Sequence, residues 1–206
     1  MEMGKTGNLL VAILSGLCLA AALGCGGKTH YNLPYVLSFS PAQAKTGTNV
    51  TIGGANFTGV LSVSFGGEPA QAYLVNGTSG IVATVPDNAV SGDIVVENPA
   101  GLGRSSYFST VPFIVTPVIT DVEPKSGPAG TVVTVTGSGF GGVTSVAFGT
   151  EVPGQPGSST FTYIDPNTVT VVVGANATPG NVVLTASGVA SDPWTGFSLG
   201  SQPPSN

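Results

Sequence analysis

The chain contains few side chains that could do covalent or acid–base chemistry. It has one histidine, His30, and two cysteines, Cys18 and Cys25. A serine or cysteine nucleophile needs a base beside it, and His30 lies in a short polar stretch with no thiol–carboxylate cluster around it. The carboxylates lack the spacing of an EF-hand loop or a zinc site. We therefore predict a protein that is not an enzyme and that needs no cofactor or metal.

Cys25 has the clearest predicted chemistry. It follows Lys5 and an apolar run from Leu9 to Leu23. This run is shorter than the roughly 20 residues of a membrane-spanning helix and is typical of a secretory signal. The segment from Ala22 to Cys25 resembles the lipobox of bacterial lipoproteins, with its first two residues swapped relative to the preferred order. The resemblance implies cleavage before Cys25 and acylation of its thiol and new amino group; simple secretory cleavage near Gly24 is the alternative.

Cleavage before Cys25 would give a signal peptide over residues 1–24 and a tether over residues 25–33. It would remove Cys18, so the exported chain would keep one cysteine and could form no intramolecular disulfide. The lipid would anchor the protein to a membrane of the bacterial cell envelope. Gly26 follows the cysteine, where inner-membrane lipoproteins are associated with Asp, so the outer membrane is favoured over the inner one.

The composition excludes one large class of partners. Only 7% of the residues are charged, the net charge is −5, and Arg104 is the only arginine. Neutralising the phosphates of a nucleic acid takes a cluster of Lys and Arg, so nucleic acid is not a predicted partner. The 31 Gly and 16 Pro residues, together with periodic Val and Thr, instead indicate many short strands joined by tight turns.

A repeated stretch organises the rest of the chain. Gly47 and Phe57 return 83 positions later as Gly130 and Phe140. A spacing this long indicates two copies of one domain. Further along the chain the offset is 88, so the second copy carries five extra residues, which we place in a loop around residues 151–160.

Each copy contains about seven short segments with the period of a strand. Val50 and Ile52 alternate with polar residues, as expected of a strand with one buried face. Leu61, Val63 and Phe65 are predicted to share the buried face of the next strand. Because turn residues recur about every 8 to 12 positions, the pattern predicts a small β-sandwich in each copy.

Four motifs recur in the same order in both copies. In the second copy they are Gly130-Thr131, the alternating strand Val132–Thr136, Gly137-Ser138-Gly139-Phe140 and Val146-Ala147-Phe148-Gly149; the first copy has Gly47-Thr48, Gly54-Ala55-Asn56-Phe57 and Val63-Ser64-Phe65-Gly66. These motifs resemble the IPT/TIG family of immunoglobulin-like domains. The resemblance implies an all-β protein with two tandem immunoglobulin-like (E-set type) β-sandwich domains after the signal peptide. We place the domains at residues 34–116 and 117–199, and a disordered tail at residues 200–206.

The resemblance transfers no catalytic residue to this chain. It implies that Phe57 and Phe140 fill the cores and that the matching glycines form turns. Domains of this family occur in cell-surface receptors, in intracellular DNA-binding regulators and in bacterial surface proteins; the export signal and the single arginine argue against the DNA-binding branch. The direct joint at Thr116 and Pro117 restricts hinge motion, so we expect a semi-rigid, end-to-end pair of domains.

Exposed aromatic residues are the candidates for ligand contact, because they can stack on sugars or anchor a protein partner. Tyr73 and Tyr163 are expected to cap the ends of the cores, which leaves Trp194 as the single candidate contact. The carboxylates that could form a Ca²⁺ site between the domains are Asp121, Glu123 and Asp192. We favour ordinary solvated turn positions for all three.

Two functions follow from these expectations. The first is a non-enzymatic, membrane-anchored lipoprotein of the cell envelope, whose domains act as a binding, adhesion or spacer module for an unknown surface protein or glycan. The alternative is a carbohydrate-binding accessory lipoprotein of a polysaccharide-utilisation or degradation system. Sugar binding that is lost in Trp194→Ala would favour the alternative.

Overall fold

The computed structural model describes residues 31–105 and 111–200. Every named element within these residues is a β-strand, and no helix in them is long and apolar enough to cross a membrane. The expected signal peptide at residues 1–24, Cys25 and most of the tether lie outside the described residues, as does the expected tail beyond Gly200. Those expectations stay predictions.

The first domain consists of two four-stranded antiparallel sheets and one short parallel pair. Its strands are β1 (Tyr35–Ser40), β2 (Gln43–Ala44), β3 (Asn49–Ala55), β4 (Ser62–Phe65), β5 (Glu68–Pro69), β6 (Ala72–Asn76), β7 (Gly80–Thr84), β8 (Ile94–Asn98), β9 (Gly101–Arg104) and β10 (Ile114–Val115). One sheet has the order β1-β3-β7-β6 and the other β5-β4-β8-β9, while β10 runs parallel to β2.

The buried faces of these two sheets form one core. Val50 and Ile81 from the first sheet and Phe65 and Ile94 from the second are fully buried in the same cluster. The ring of Phe113 closes the cluster at 5.1 Å from that of Phe65, centroid to centroid. Each such side chain contributes about 1.5–3 kcal/mol by leaving water, so the alternating apolar residues hold the sandwich together.

The second domain repeats this plan with one strand fewer. Its strands are β11 (Val118–Glu123), β12 (Ser126–Gly127), β13 (Val132–Ser138), β14 (Val143–Phe148), β15 (Thr160–Asp165), β16 (Thr168–Val172), β17 (Val182–Ala186), β18 (Val189–Ala190) and β19 (Ser198–Leu199). The sheets are β11-β13-β16-β15 and β14-β17-β18, and β19 runs parallel to β12. Its core shares no residue with that of the first domain. The expected all-β fold with two tandem domains is confirmed.

One close contact explains the Gly-x-x-Phe motif in both domains. A Cβ atom on Gly54 would lie 2.5 Å from Phe57 Cζ, and one on Gly137 would lie 2.7 Å from Phe140 Cζ. The same added atom would lie 1.8 or 1.9 Å from a backbone carbonyl oxygen of the neighbouring strand, which belongs to Val118 in the second domain. The phenylalanine ring therefore packs directly on glycine, and both rings are buried as expected.

The extra residues of the second domain form a loop where the first domain has β5. Glu151 is buried in this loop, although it is acidic. Its carboxylate accepts hydrogen bonds from Phe148 N at 3.1 Å, from Ser159 Oγ at 2.8 Å and from Ser159 N. Ser159 Oγ in turn accepts from Gly174 N at 2.8 Å. The buried charge is thus satisfied by donors that also close the loop.

The strands of the first domain differ from the sequence pattern at two places. Leu61 is 59% exposed, because the chain enters the sheet register only at Ser62. The sequence pattern also does not predict β9, which forms a hairpin with β8. Gly101 begins β9 with φ of 136°, a conformation that favours glycine. Residues 106–110 lie outside the described part of the chain.

Candidate functional site

The outer face of the second sheet in the first domain forms a polar groove. Residues directly opposite each other on antiparallel strands point to the same face. The register therefore builds two rows across the sheet. One row contains Pro69, Ser64, Val95 and Arg104, and the other contains Ser62, Glu97 and Leu102. Asp93 and the turn at Gly66 and Gly67 complete a groove with a volume of about 500 Å³.

The groove places acceptor and donor groups beside a small apolar floor. Ser62 Oγ donates to Glu97 Oε2 at 2.9 Å, and Arg104 Nη1 lies 3.8 Å from Asp93 Oδ2. The two carboxylates are hydrogen-bond acceptors, whereas the guanidinium carries five donors. Val95 and Leu102 supply the apolar part of the lining. This mixture suits a ligand with many hydroxyl groups and small apolar faces.

The equivalent face of the second domain has no such chemistry. Ser145 and Thr185 occupy the places of Ser62 and Glu97, and Ala190 stands in the row where the first domain has Leu102. The two domains share one architecture, so this difference lies in the side chains. The groove with charged side chains therefore lies on the first domain and has no counterpart of the same chemistry on this face of the second domain.

Trp194, the residue singled out from the sequence, is half-buried against the second core. Its backbone exchanges two hydrogen bonds with Val182, with N–O distances of 2.8 and 2.9 Å. Lys125 Nζ lies 5.9 Å from the centre of its ring system, a cation–π arrangement. The expected ligand contact at Trp194 stays a prediction.

Lysines pair with the carboxylates that were considered for Ca²⁺. Lys125 Nζ lies 2.6 Å from Asp121 Oδ1 and 2.7 Å from Glu123 Oε1, and Asp192 pairs with Lys45. The hydrogen bond that Lys125 donates to Asp121 lowers the pKa of Asp121, and the hydrogen bonds that Lys125 donates to Asp121 and Glu123 raise the pKa of Lys125. Within residues 31–105 and 111–200, no three acidic, histidine or cysteine residues are grouped to hold a metal.

The two tyrosines expected to cap the cores lie on edge strands. Tyr73 lies opposite the inward-facing Ala83, and its hydroxyl donates to the Leu61 carbonyl at 3.1 Å. Tyr163 lies opposite the inward-facing Val169. Burial, followed by the charge of Asp165, raises the pKa of Tyr163.

The sequence matches the family model described as IPT/TIG domain over residues 34–113 and again over residues 117–199. The chain belongs to the IPT/TIG domain family. No curated protein matches its sequence significantly.

Several solved structures resemble the chain, among them three bacterial glycan-binding proteins. SGBP-B from a complex xyloglucan utilization locus in Bacteroides uniformis is 22% identical, with a TM-score of 0.35, and the match covers 81% of this chain and 49% of that one. The surface glycan-binding protein PbSGBP-B from Prevotella bryantii is 16% identical, with a TM-score of 0.44 and coverages of 78% and 41%. SGBP-B from the Bacteroides ovatus mixed-linkage glucan utilization locus, in complex with a mixed-linkage heptasaccharide, is 17% identical, with a TM-score of 0.30 and coverages of 77% and 42%. This chain spans less than half the length of each.

The two IPT/TIG domains touch each other through polar side chains. Thr46 Oγ1 lies 3.0 Å from Ser138 Oγ, and Asn167 Nδ2 donates to the Asp87 carbonyl at 3.2 Å. These contacts join residues that are 80 or more positions apart in the chain. They tie the two domains at more points than the covalent joint alone.

An ion pair and an apolar contact add to this junction. Lys45 Nζ lies 2.5 Å from Asp192 Oδ2, and a Cβ atom on Gly141 would lie 2.3 Å from Val90 Cγ1. The lysine and aspartate side chains are 49% and 81% exposed, so their attraction contributes at most about 1 kcal/mol. Close packing of Val90 on Gly141 restricts what can replace that glycine.

Proposed function

We propose that this chain is a non-catalytic module of the bacterial cell envelope, anchored through a lipid on Cys25, whose first IPT/TIG domain binds carbohydrate in the groove. The observation that carries the proposal is the groove itself. Glu97, Arg104 and Ser62 stand on a rigid sheet face in the first domain, while the matching face of the second domain has small or uncharged residues.

The chemistry of the groove fits sugars better than proteins or nucleic acids. Sugar hydroxyls act as both donors and acceptors, so they can bind carboxylate and guanidinium groups side by side. The apolar faces of sugar rings need only a small apolar surface, which Val95 and Leu102 supply. The single arginine in the chain is used in this groove, where Asp93 already pairs with it.

Binding to a panel of polysaccharides in affinity gels tests the proposal. We expect the wild-type protein to be retarded by at least one polysaccharide and the Glu97→Ala variant to lose that retardation. The matched control is Thr185→Ala, which changes the equivalent position of the second domain and should bind as the wild type does. Loss of binding in Trp194→Ala alone would place the sugar at Trp194 instead. Retention by none of the polysaccharides would refute carbohydrate binding.

The anchoring part of the proposal has a separate test. Mass spectrometry of the protein isolated from membranes should find residues 1–24 removed and acyl chains on Cys25. A free Cys25 thiol, or a chain that begins elsewhere, would contradict it while leaving the groove unaffected.

The junction favours a second function, in which the two domains hold a partner at a fixed distance from the membrane. The contacts of Lys45, Thr46 and Val90 with the second domain are the observation in its favour. ¹⁵N relaxation should then give the same rotational correlation time for both domains. Clearly different times would show independent motion and would refute a spacer of fixed length.

A further inference from the structure

The charged side chains of the groove decide which sugars it can hold. The groove contains two carboxylates, Asp93 and Glu97, and one guanidinium, Arg104. Arg104 pairs with Asp93. Glu97 has the hydroxyl of Ser62 as a hydrogen-bond donor, and no lysine or arginine of the described residues forms an ion pair with it. The groove therefore keeps one carboxylate charge that no neighbouring cation offsets.

From this arrangement we infer that the groove binds neutral sugar chains and rejects acidic ones. The inference rests on the proposed function, that the groove binds carbohydrate at all. An ionised carboxylate only accepts hydrogen bonds, so Glu97 needs donors from the ligand. Sugar hydroxyls are such donors, and their hydrogen bonds to a charged acceptor are stronger than those to a neutral one.

An acidic sugar would bring a like charge to the same place. A uronate has a carboxylate where a neutral hexose has a hydroxymethyl group, so it loses a donor and gains a repulsion from Glu97. At a partly exposed site and a separation of a few ångströms, the repulsion corresponds to about a tenfold loss of affinity. The net charge of −5 on the whole chain acts in the same direction at longer range.

The apolar lining supports selection by hydrogen bonds rather than by stacking. None of the described residues that line the groove is aromatic. A stacking platform accepts any sugar ring with an apolar face, and charge would then matter less. Val95 and Leu102 offer only aliphatic contact, so the polar groups must supply the discrimination.

The experiment compares matched ligands in isothermal titration calorimetry with the full-length protein. The probes are hexasaccharides of several neutral glycans, each paired with the same hexasaccharide oxidised at C6 to the uronate. We expect a neutral probe to bind and its oxidised counterpart to bind at least about tenfold more weakly. The gap should shrink in 1 M NaCl, because salt screens partly exposed charges.

The Glu97→Gln variant provides the decisive comparison. It keeps the size and one acceptor oxygen but removes the charge, so the neutral probe should bind a few-fold more weakly as its hydrogen bonds lose their charged acceptor, and the roughly tenfold gap between the two probes should close. Glu123→Gln is the matched control, since it removes a carboxylate outside the groove and should leave the gap unchanged. Equal or tighter binding of the oxidised probe to the wild type, or a gap that Glu97→Gln leaves intact, would overturn the inference but not the proposed function. Binding of neither probe in any pair would defeat the proposed function itself.

Discussion

Replacing Gly137 by alanine should strongly lower the free energy of unfolding of the second domain. The atoms around this glycine are mostly backbone and cannot move away from an added methyl group. The added Cβ would lie 1.9 Å from the Val118 carbonyl oxygen, 3.0 Å from its carbonyl carbon and 2.7 Å from Phe140 Cζ. The oxygen belongs to the backbone of β11, which pairs with β13 at this point. Relief therefore requires that the two strands separate by about 1 Å.

The cost follows from what this separation breaks. One or two hydrogen bonds between β11 and β13 would be lost or stretched, each contributing about 0.5–1.5 kcal/mol. Forced repacking of the Phe140 ring adds about 1–3 kcal/mol. We expect the free energy of unfolding of the second domain to fall by about 3 kcal/mol, a large fraction of the stability of a small domain.

Trp194 makes the measurement specific to one domain. It is the only tryptophan of the chain and packs on the second core, so its fluorescence reports the unfolding of that domain. A domain of this size has a urea m-value of about 1 kcal/mol/M. The midpoint of the Trp194 transition should therefore fall by about 3 M in Gly137→Ala.

Two control variants separate steric clash from other effects. Gly130→Ala adds a methyl group where no atom lies within 4 Å, at a φ of 88°, so it should cost only the roughly 1–2 kcal/mol of a left-handed backbone. Gly54→Ala repeats the clash in the first domain and should leave the Trp194 midpoint nearly unchanged. A midpoint shift below about 0.5 M in Gly137→Ala would show that the glycine contact does not hold the sandwich together.

Two further variants test the other buried and charged contacts. Glu151→Ala leaves the donors of Phe148 and Ser159 without an acceptor, so it should destabilise the second domain by about 2–4 kcal/mol in the same urea assay, and Glu151→Gln by less; an unchanged midpoint would contradict the role of this carboxylate. In Lys125→Met, the pKa of Asp121 should rise toward its ordinary value, because the lysine that lowers it is gone. The stability that the Asp121–Lys125 pair contributes is present above about pH 4 and is lost as the pH falls through the lowered pKa of Asp121. The variant should show less of this loss; NMR titration of the carboxyl carbon checks the pKa, and an unchanged value would refute the pairing.

The sequence predicts the core residues well, because the same pattern of apolar residues occurs in both copies of the domain. Val50 and Ile52 are buried as their alternation with polar residues indicates. Phe113 and Phe197 each close one core, at 5.1 Å from Phe65 and 4.8 Å from Phe148. These side chains face the core because they are apolar, and the local alternation of apolar and polar residues is enough to predict this.

The groove could not be predicted, because it depends on strand register across a hairpin. Ser62 and Ser64 are two positions apart, and Glu97 alternates with buried residues, so the sequence alone indicates that all three point outward. Outward polar residues are normal on a sandwich, however, and do not indicate a binding site. Arg104 joins them only because β9 pairs with β8, and β9 begins with a glycine at positive φ. Glycines have low strand propensity, so Gly101 and Gly103 favour a turn over a strand in any reading of the sequence alone. Trp194 stood out by residue type alone, and type does not reveal that Lys125 covers its ring.

The junction between the domains uses residues of the first repeat that the second repeat does not share. A head-to-tail contact, in which one surface of a repeat binds a different surface of the next repeat, can continue from molecule to molecule and form a fibre. Here the receiving residues of the first repeat are Lys45, Asp87 and Val90, and the corresponding positions of the second are Pro128, Ala175 and Thr178. The second repeat thus offers neither the cation nor the valine that the first one uses. Because the copies have diverged at these positions, the second repeat does not present the receiving surface that the first repeat presents.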